Sequence, residues 1–387
     1  MRIGGYNKYR SAIATVAARE AWYSELSIDP SAALGANGLA IDCDSLYLKS
    51  ASGCALQALD IARPGKIGSQ PAVLPSLTGR IADWSTALHD ESLVAAGDEH
   101  GVVAVWKNRI RQFTIPAHSA ACTSVQFHPT VAGLLATASN TGASGELKLW
   151  SIESAASTSI WQTAASNAIH SIAIRGDGAL VAASTNSGTC AIYDPRQTTD
   201  SLVGTTAAFH AAGRPTRVLW LGEKPYLLST GLSKARERSA ALWDQRNLAR
   251  PLASLLLQPS TKPLLPLYDE DTQLAYLVEK GDSLVRWIDA DPASAKPLSE
   301  LGSVSLPAQI TGCALLPKHK LKVMSGEIAR VHLVVENLGT GTGAAVIPVA
   351  HVAPRRSYLD FHADLFPDTR APLPAQTTAQ WLANEDA

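Results

Sequence analysis

Charge is scarce in this chain. Only 17% of its 387 residues are Asp, Glu, Lys or Arg, and the formal net charge is −1. That balance excludes an overall basic field of the kind that draws a protein to nucleic acid or to an anionic membrane. Cysteine is equally sparse. Cys43, Cys54, Cys122, Cys190 and Cys313 are far apart, odd in number and without a CxxC. They read as buried, reduced thiols rather than a disulfide frame or a metal site. No apolar run approaches the ~18 residues of a membrane span, and "MRIGGYNKYR" has no apolar signal core. Helical stripes are also missing before about residue 375.

The motifs of common enzymes are absent too. "RPGKIGS" has no glycine four residues before its Gly-Lys and no Ser or Thr after the lysine, so it is no phosphate loop. "GTGTG" (339–343) is a turn after a strand, and neither GxSxG nor HExxH occurs. "PKHKLK" (317–322) reads as a small solvated basic loop. A non-catalytic protein without cofactor or metal is expected.

What the chain does have is a beat. Alternating apolar runs end in an aromatic at Trp106, Trp150, Tyr193 and Trp243, at steps of 44, 43 and 50 residues. The period continues to Ile288 and to about Leu333, and runs backward to about Ile61. Within a beat the pattern is strand, turn, strand: "CTSVQF", "HPTVAG", "LLATAS", "NTGASG", "ELKLWS". A period of about 40–45 residues closing on Trp-Asp is the mark of WD-repeat propellers, four strands to a blade. Seven beats predict an all-β, seven-bladed propeller over residues 1–345. A blade has two apolar faces and needs neighbours on both, so the ring must close. Lys8 to Ile13, in "YNKYRSAIATV", is the segment expected to pair with the last blade.

Many WD repeats carry a buried set of His, Ser or Thr, turn Asp and Trp. His118 with Trp150, and His210 with Trp243–Asp244, stand at those places; Asp282 in "KGDS" has the turn spacing, and His100 and Ser187 replace it in blades two and four. All read as satisfied structural groups. Residues 346–387 are punctuated by proline but keep Tyr358, Phe361 and Phe366. They are expected to form an extension packed on one face, with those aromatics buried, ending in a short polar helix around "TTAQWLANEDA".

The stretch "TGLSKARERSAALWD" (230–244) resembles the signature of the coronins at Thr230, Gly231, Ser233, Glu237, Arg238, Ala241, Leu242, Trp243 and Asp244, with Leu232 and Lys234 replacing Phe and Arg. "LLPLYDEDTQLAYLVEKGDSLVRWID", "HAAGRPTRVLWL", "YDPR" and "DLFPDTRAP" are similar to further coronin segments, so the likeness runs from about residue 8 to 385. The resemblance implies a cytoplasmic, cytoskeleton-associated protein that binds actin filaments (F-actin) through its propeller. It also implies that the charges before Trp243 lie in a blade-five insertion. Candidate contacts are Lys8, Arg10, Lys234, Arg236 and Arg238. Ser27 stands where most coronins have an arginine important for filament binding, and no heptads follow the extension, so a monomer is expected. The opening "KYRSAIATVAAREAWYSEL" looks like that of the tandem-propeller coronins. Their association with Golgi or vesicle traffic and with ubiquitin-ligase assemblies makes a scaffold with weak or no actin binding the alternative.

Overall fold

The computed structural model describes all residues except 1, 4–5, 32–35, 68–70, 91, 153–157, 166, 198–200, 261, 337–342, 372 and 384–387. Most of the "GTGTG" turn therefore lies outside the described residues. Among the described residues seven sheets form a ring, antiparallel apart from one short parallel pair, Tyr23–Ser24 with Gly65–Lys66. The first strand of each blade neighbours the first strand of the next, and that of the last blade touches that of the first. The sequence pattern explains the layering. In blade five the third strand, Glu237–Asp244, is buried over six successive residues, because neighbouring blades cover both its faces. The outermost strand, Ala253–Pro259, alternates half-buried and exposed positions.

The beat has a structural counterpart. In blades two, three, four and six the register between third and fourth strands slips beside the beat residue, at Val105/Trp106, Leu149/Trp150, Ile192/Tyr193 and Trp287/Ile288. A bulge adds local twist, so the recurring residue marks a recurring bend.

Three expectations need correction. The closing strand is Ile13–Val16, paired with Val349–Val352. Lys8–Ser11 form a turn ahead of it, so only Ile13 of the expected segment pairs. Tyr23–Leu26 adds to the same sheet farther along. The last blade also runs longer than the beat implies: its third strand is Ala344–Val352, while Leu333 lies in the second strand, Glu327–Glu336. Two 3₁₀ turns, Lys318–Lys320 and Val323–Ser325, sit between its first and second strands and delay the beat. A boundary at 345 therefore cuts a strand; the blade ends at Val352. Finally, blade five has no insertion between its second and third strands, where the hairpin is only residues 233–236. The extra length precedes the blade, in the connection from Thr205 to Arg217 that carries His210.

Candidate interaction surface

Two blades contain a hydrogen-bonded chain running from the tryptophan inward. In blade three Trp150 Nε1 donates to Thr137 Oγ1 (2.9 Å), and Thr137 lies 2.8 Å from His118 Nε2. His118 Nδ1 is 2.8 Å from Glu146, and burial pushes the imidazole pKa down. A neutral ring has one N–H, and the carboxylate must accept it. Nε2 therefore accepts from the Thr137 hydroxyl. In blade five the chain is Trp243 to Ser229 (2.9 Å), Ser229 to His210 (2.9 Å) and His210 to Ser239 (3.0 Å). Ser239 takes the acidic position and passes a bond on to the Gly231 carbonyl. Asp244 turns instead to Arg246 at the surface. Asp282 joins no such chain: its side chain is half exposed and meets Arg238 at 3.5 Å. The residues that complete these chains, Thr137, Glu146, Ser229 and Ser239, lie between their His and Trp in sequence, and Glu146 and Ser239 hide because neither is the Asp that the pattern asks for.

The charged segment that opens strand three of blade five divides sharply. Arg238 is buried, 2% exposed, and pairs with Glu279 of blade six, itself 1% exposed. Its guanidinium also donates to the carbonyls of Lys262 and Lys280 at 3.3 Å. It is an inter-blade tie and not a surface contact, which corrects its place among the candidate contacts. Its place inside a third strand that is covered on both faces could have flagged this, since Arg238 shares a face with the buried Ala240 and Leu242. Lys234 and Arg236, by contrast, are exposed at the hairpin tip, and among the described residues neither side chain has a partner.

Arg236 has a cost attached. Its φ is +64°, in the left-handed region, directly before the third strand. The corresponding residue in blade two is Gly101, φ +79°, where a Cβ would stand 2.3 Å from the His118 carbonyl oxygen. A non-glycine residue in this region carries strain of about 1 kcal/mol or more.

Lys8 and Arg10 belong to the opposite face. The extension leaves the last blade after Val352 and crosses the turns that join first and second strands around the ring. Leu365 is buried, and its carbonyl accepts from Tyr9 (2.6 Å). Lys8 donates to the Asp364 carbonyl. Thr369 meets Asp271 of blade six. Arg370 donates to the Gly176 carbonyl of blade four (2.7 Å), and the Ala375 amide to Thr130 of blade three (2.8 Å). Thr377 caps a helix, Thr378–Leu382, whose Trp381 is buried between blades three and four beside His128. The extension is thus packed on one face, but not by the expected aromatics. Tyr358 and Phe361 are exposed and Phe366 only half-buried; Leu365 and Trp381 are the anchors. Lys8 therefore serves the extension, while Arg10 is an exposed residue of the turn beside it.

The hairpins joining second and third strands occupy the other face, since successive antiparallel strands place their turns at alternate ends. Lys234 and Arg236 lie there. So does Ser27, exposed next to Ile28, which bridges to Ser50 at the corresponding hairpin of blade one. The five candidate cations accordingly do not form one patch. Among the described residues no group of three or more His, Cys, Asp or Glu side chains is placed to hold a metal, and no helix is long and apolar enough to cross a membrane. "PKHKLK" is not free solvated charge: Lys318 pairs with Asp269 (2.5 Å) and Lys320 with Asp44 (3.0 Å).

Comparison with known proteins adds the family. A model described as a type of WD40 repeat matches residues 346–387, from the last blade's third strand through the extension. Coronin-7 of Homo sapiens is 30% identical over 400 residues, 98% of this chain. The coronin-like protein crn1 of Schizosaccharomyces pombe is 28% identical, again over 98% of the chain and 63% of its own length. The chain belongs to the coronins. The crystal structure of the WD40 domain from Toxoplasma gondii coronin superposes with a TM-score of 0.87, covering 98% of this chain and 96% of that one at 22% identity, which shows the shared fold. This coronin chain spans about 40% of the length of the coronin-7 relatives.

Proposed function

We propose that this coronin propeller is a non-catalytic, monomeric binding module that engages actin filaments through its second-to-third-strand hairpin face. The observation that carries the reading is Arg236. The hairpin keeps an exposed arginine, its side chain without a partner among the described residues, at a left-handed position that blade two gives to glycine, and such strain concentrates where a side chain is used. Lys234 stands beside it, and Arg238 anchors the hairpin from below. Actin's surface is acidic, and exposed charge pairs contribute only about 0.2–1 kcal/mol each. Two such cations give weak binding that salt screens over a Debye length of about 8 Å. Ser27, on the same face, supplies no cation where an interfacial arginine is worth ~2 kcal/mol, and that favours a second reading: a trafficking or ubiquitin-ligase scaffold of the tandem-coronin kind.

Co-sedimentation with filaments separates the two. Wild type is expected to pellet at low salt and to be released at moderate salt. Lys234→Ala with Arg236→Gly is expected to abolish pelleting without loss of stability, and Ser27→Arg to strengthen it. Equal pelleting at both salts refutes the electrostatic account. No pelleting by wild type or Ser27→Arg hands the function to the scaffold reading. A cytoplasmic location with the cytoskeleton follows from the first reading, and light scattering that gives a stable oligomer would overturn the monomer.

A further inference from the structure

The face under the extension contains a cavity of about 320 Å³. Its walls are the first-to-second-strand turns of blades one, two, six and seven, and Thr369–Ala371 of the extension form part of its lining. Cys43 and His319 both border it, from blades one and seven, with the sulfur 2.6 Å from His319 Nε2. The pairing is built, not incidental. His319 is the middle residue of the turn Lys318–Lys320, and both its neighbours are tied down: Lys318 to Asp269 of blade six and to the Ile328 carbonyl, and Lys320 to Asp44, the residue after Cys43. Those two carboxylates also balance the charge of the flanking lysines. Asp42, on the other side of Cys43, accepts hydrogen bonds from the Asp44 and Ser45 amides and the Tyr47 hydroxyl.

The remaining cysteines set the contrast. Burial pushes the thiols of Cys122, Cys190 and Cys313 up to about 12, which leaves them inert as nucleophiles. Cys54 is half-buried at a hairpin on the opposite face, in the field of Lys49 and Arg80 and, among the described residues, with no imidazole against it.

We propose that Cys43 is a reactive thiol, poised by His319, that small hydroperoxides oxidise to a sulfenic acid inside this cavity. His319 Nε2 takes the thiol proton. The thiolate sulfur attacks one peroxide oxygen, an S–O bond forms and the O–O bond breaks. The imidazolium returns its proton to the departing oxygen, so hydrogen peroxide releases water and an alkyl hydroperoxide its alcohol. Sulfur gives up two electrons and the peroxide gains them. The step is the first rung of cysteine oxidation and is reversed by thiols.

The thiolate is the nucleophile, so a base within reach of the thiol proton speeds attack, and the lower intrinsic nucleophilicity of a stabilised thiolate returns part of that gain. The net advantage is about three-fold or more. The test treats the whole chain with hydrogen peroxide at neutral pH, traps sulfenic acid with dimedone and maps adducts by mass spectrometry over time. Cys43 is expected to label before Cys54. His319→Gln is expected to slow Cys43 by about three-fold or more while Cys54 keeps its rate, which also certifies that the variant is folded. Labelling of Cys43 no faster than Cys54, or an unchanged Cys43 rate in His319→Gln, overturns the proposal.

Discussion

Replacing Arg238 separates an internal tie from a surface contact within one pair of assays. The guanidinium and the Glu279 carboxylate are both almost wholly buried, and two backbone carbonyls plus Asp282 take three more of its N–H groups. An exposed pair would contribute up to about 1 kcal/mol. Breaking a buried one leaves a charge without its partner and costs about 3–5 kcal/mol. Arg286 also donates to Glu279 (2.9 Å) and softens the loss from that side, so Arg238→Ala belongs at the lower end, ~3 kcal/mol. At roughly 2 °C per kcal/mol for a chain of this size, the melting temperature falls by about 6 °C. Glu279→Gln weakens the ties to two arginines at once and is expected to cost more. Arg238→Met with Glu279→Leu removes both charges and recovers much of the loss, since a packed apolar pair of similar volume is near neutral. The control is Arg236→Ala at the tip, expected within about 0.5 kcal/mol of wild type. Thermal melts and filament co-sedimentation on the same samples decide the matter. If Arg238→Ala melts like wild type but loses filament binding, Arg238 acts at the surface and the burial argument is wrong.

Two further outcomes follow from the same packing. Trp381→Ala empties the site between blades three and four and is expected to cost about 3–5 kcal/mol; an unchanged melt would mean that the extension's end contributes nothing to stability. Burial lowers the imidazole pKa of His128, His210 and His351 to about 4 and of His332 to about 3, so between the unfolded value of ~6.5 and these values the unfolded chain binds more protons than the folded one. Stability is therefore complete above about pH 6.5 and falls on acidification towards pH 4, by up to ~1.4 kcal/mol per pH unit for each histidine; melting temperatures that stay level from pH 7.5 to 5 would refute this.

The ring was legible because its signal repeats. In blades two, three, four and six the beat residue sits at the same register slip, so several weak patterns reinforce one another. What did not repeat was misplaced. The 3₁₀ turns of the last blade shift its third strand beyond the position that the beat assigns, and period alone carries no trace of a local insertion. The extension failed differently. Tyr358 and Phe361 look like anchors by hydrophobicity, but anchoring depends on what lies beneath. Leu365 finds Tyr9 and the last two blades, and Trp381 the gap between blades three and four; neither partner is near in sequence. The charged stretch before Trp243 shows the same limit at one residue's distance. Arg236 and Arg238 are the same residue type two positions apart, in a segment whose composition alone suggests a solvated loop. The strand carries Arg238 between neighbouring blades, against Glu279, and the hairpin puts Arg236 at the tip. Chemical type names what a side chain is able to do; only the register decides whether it meets a partner molecule or the neighbouring blade.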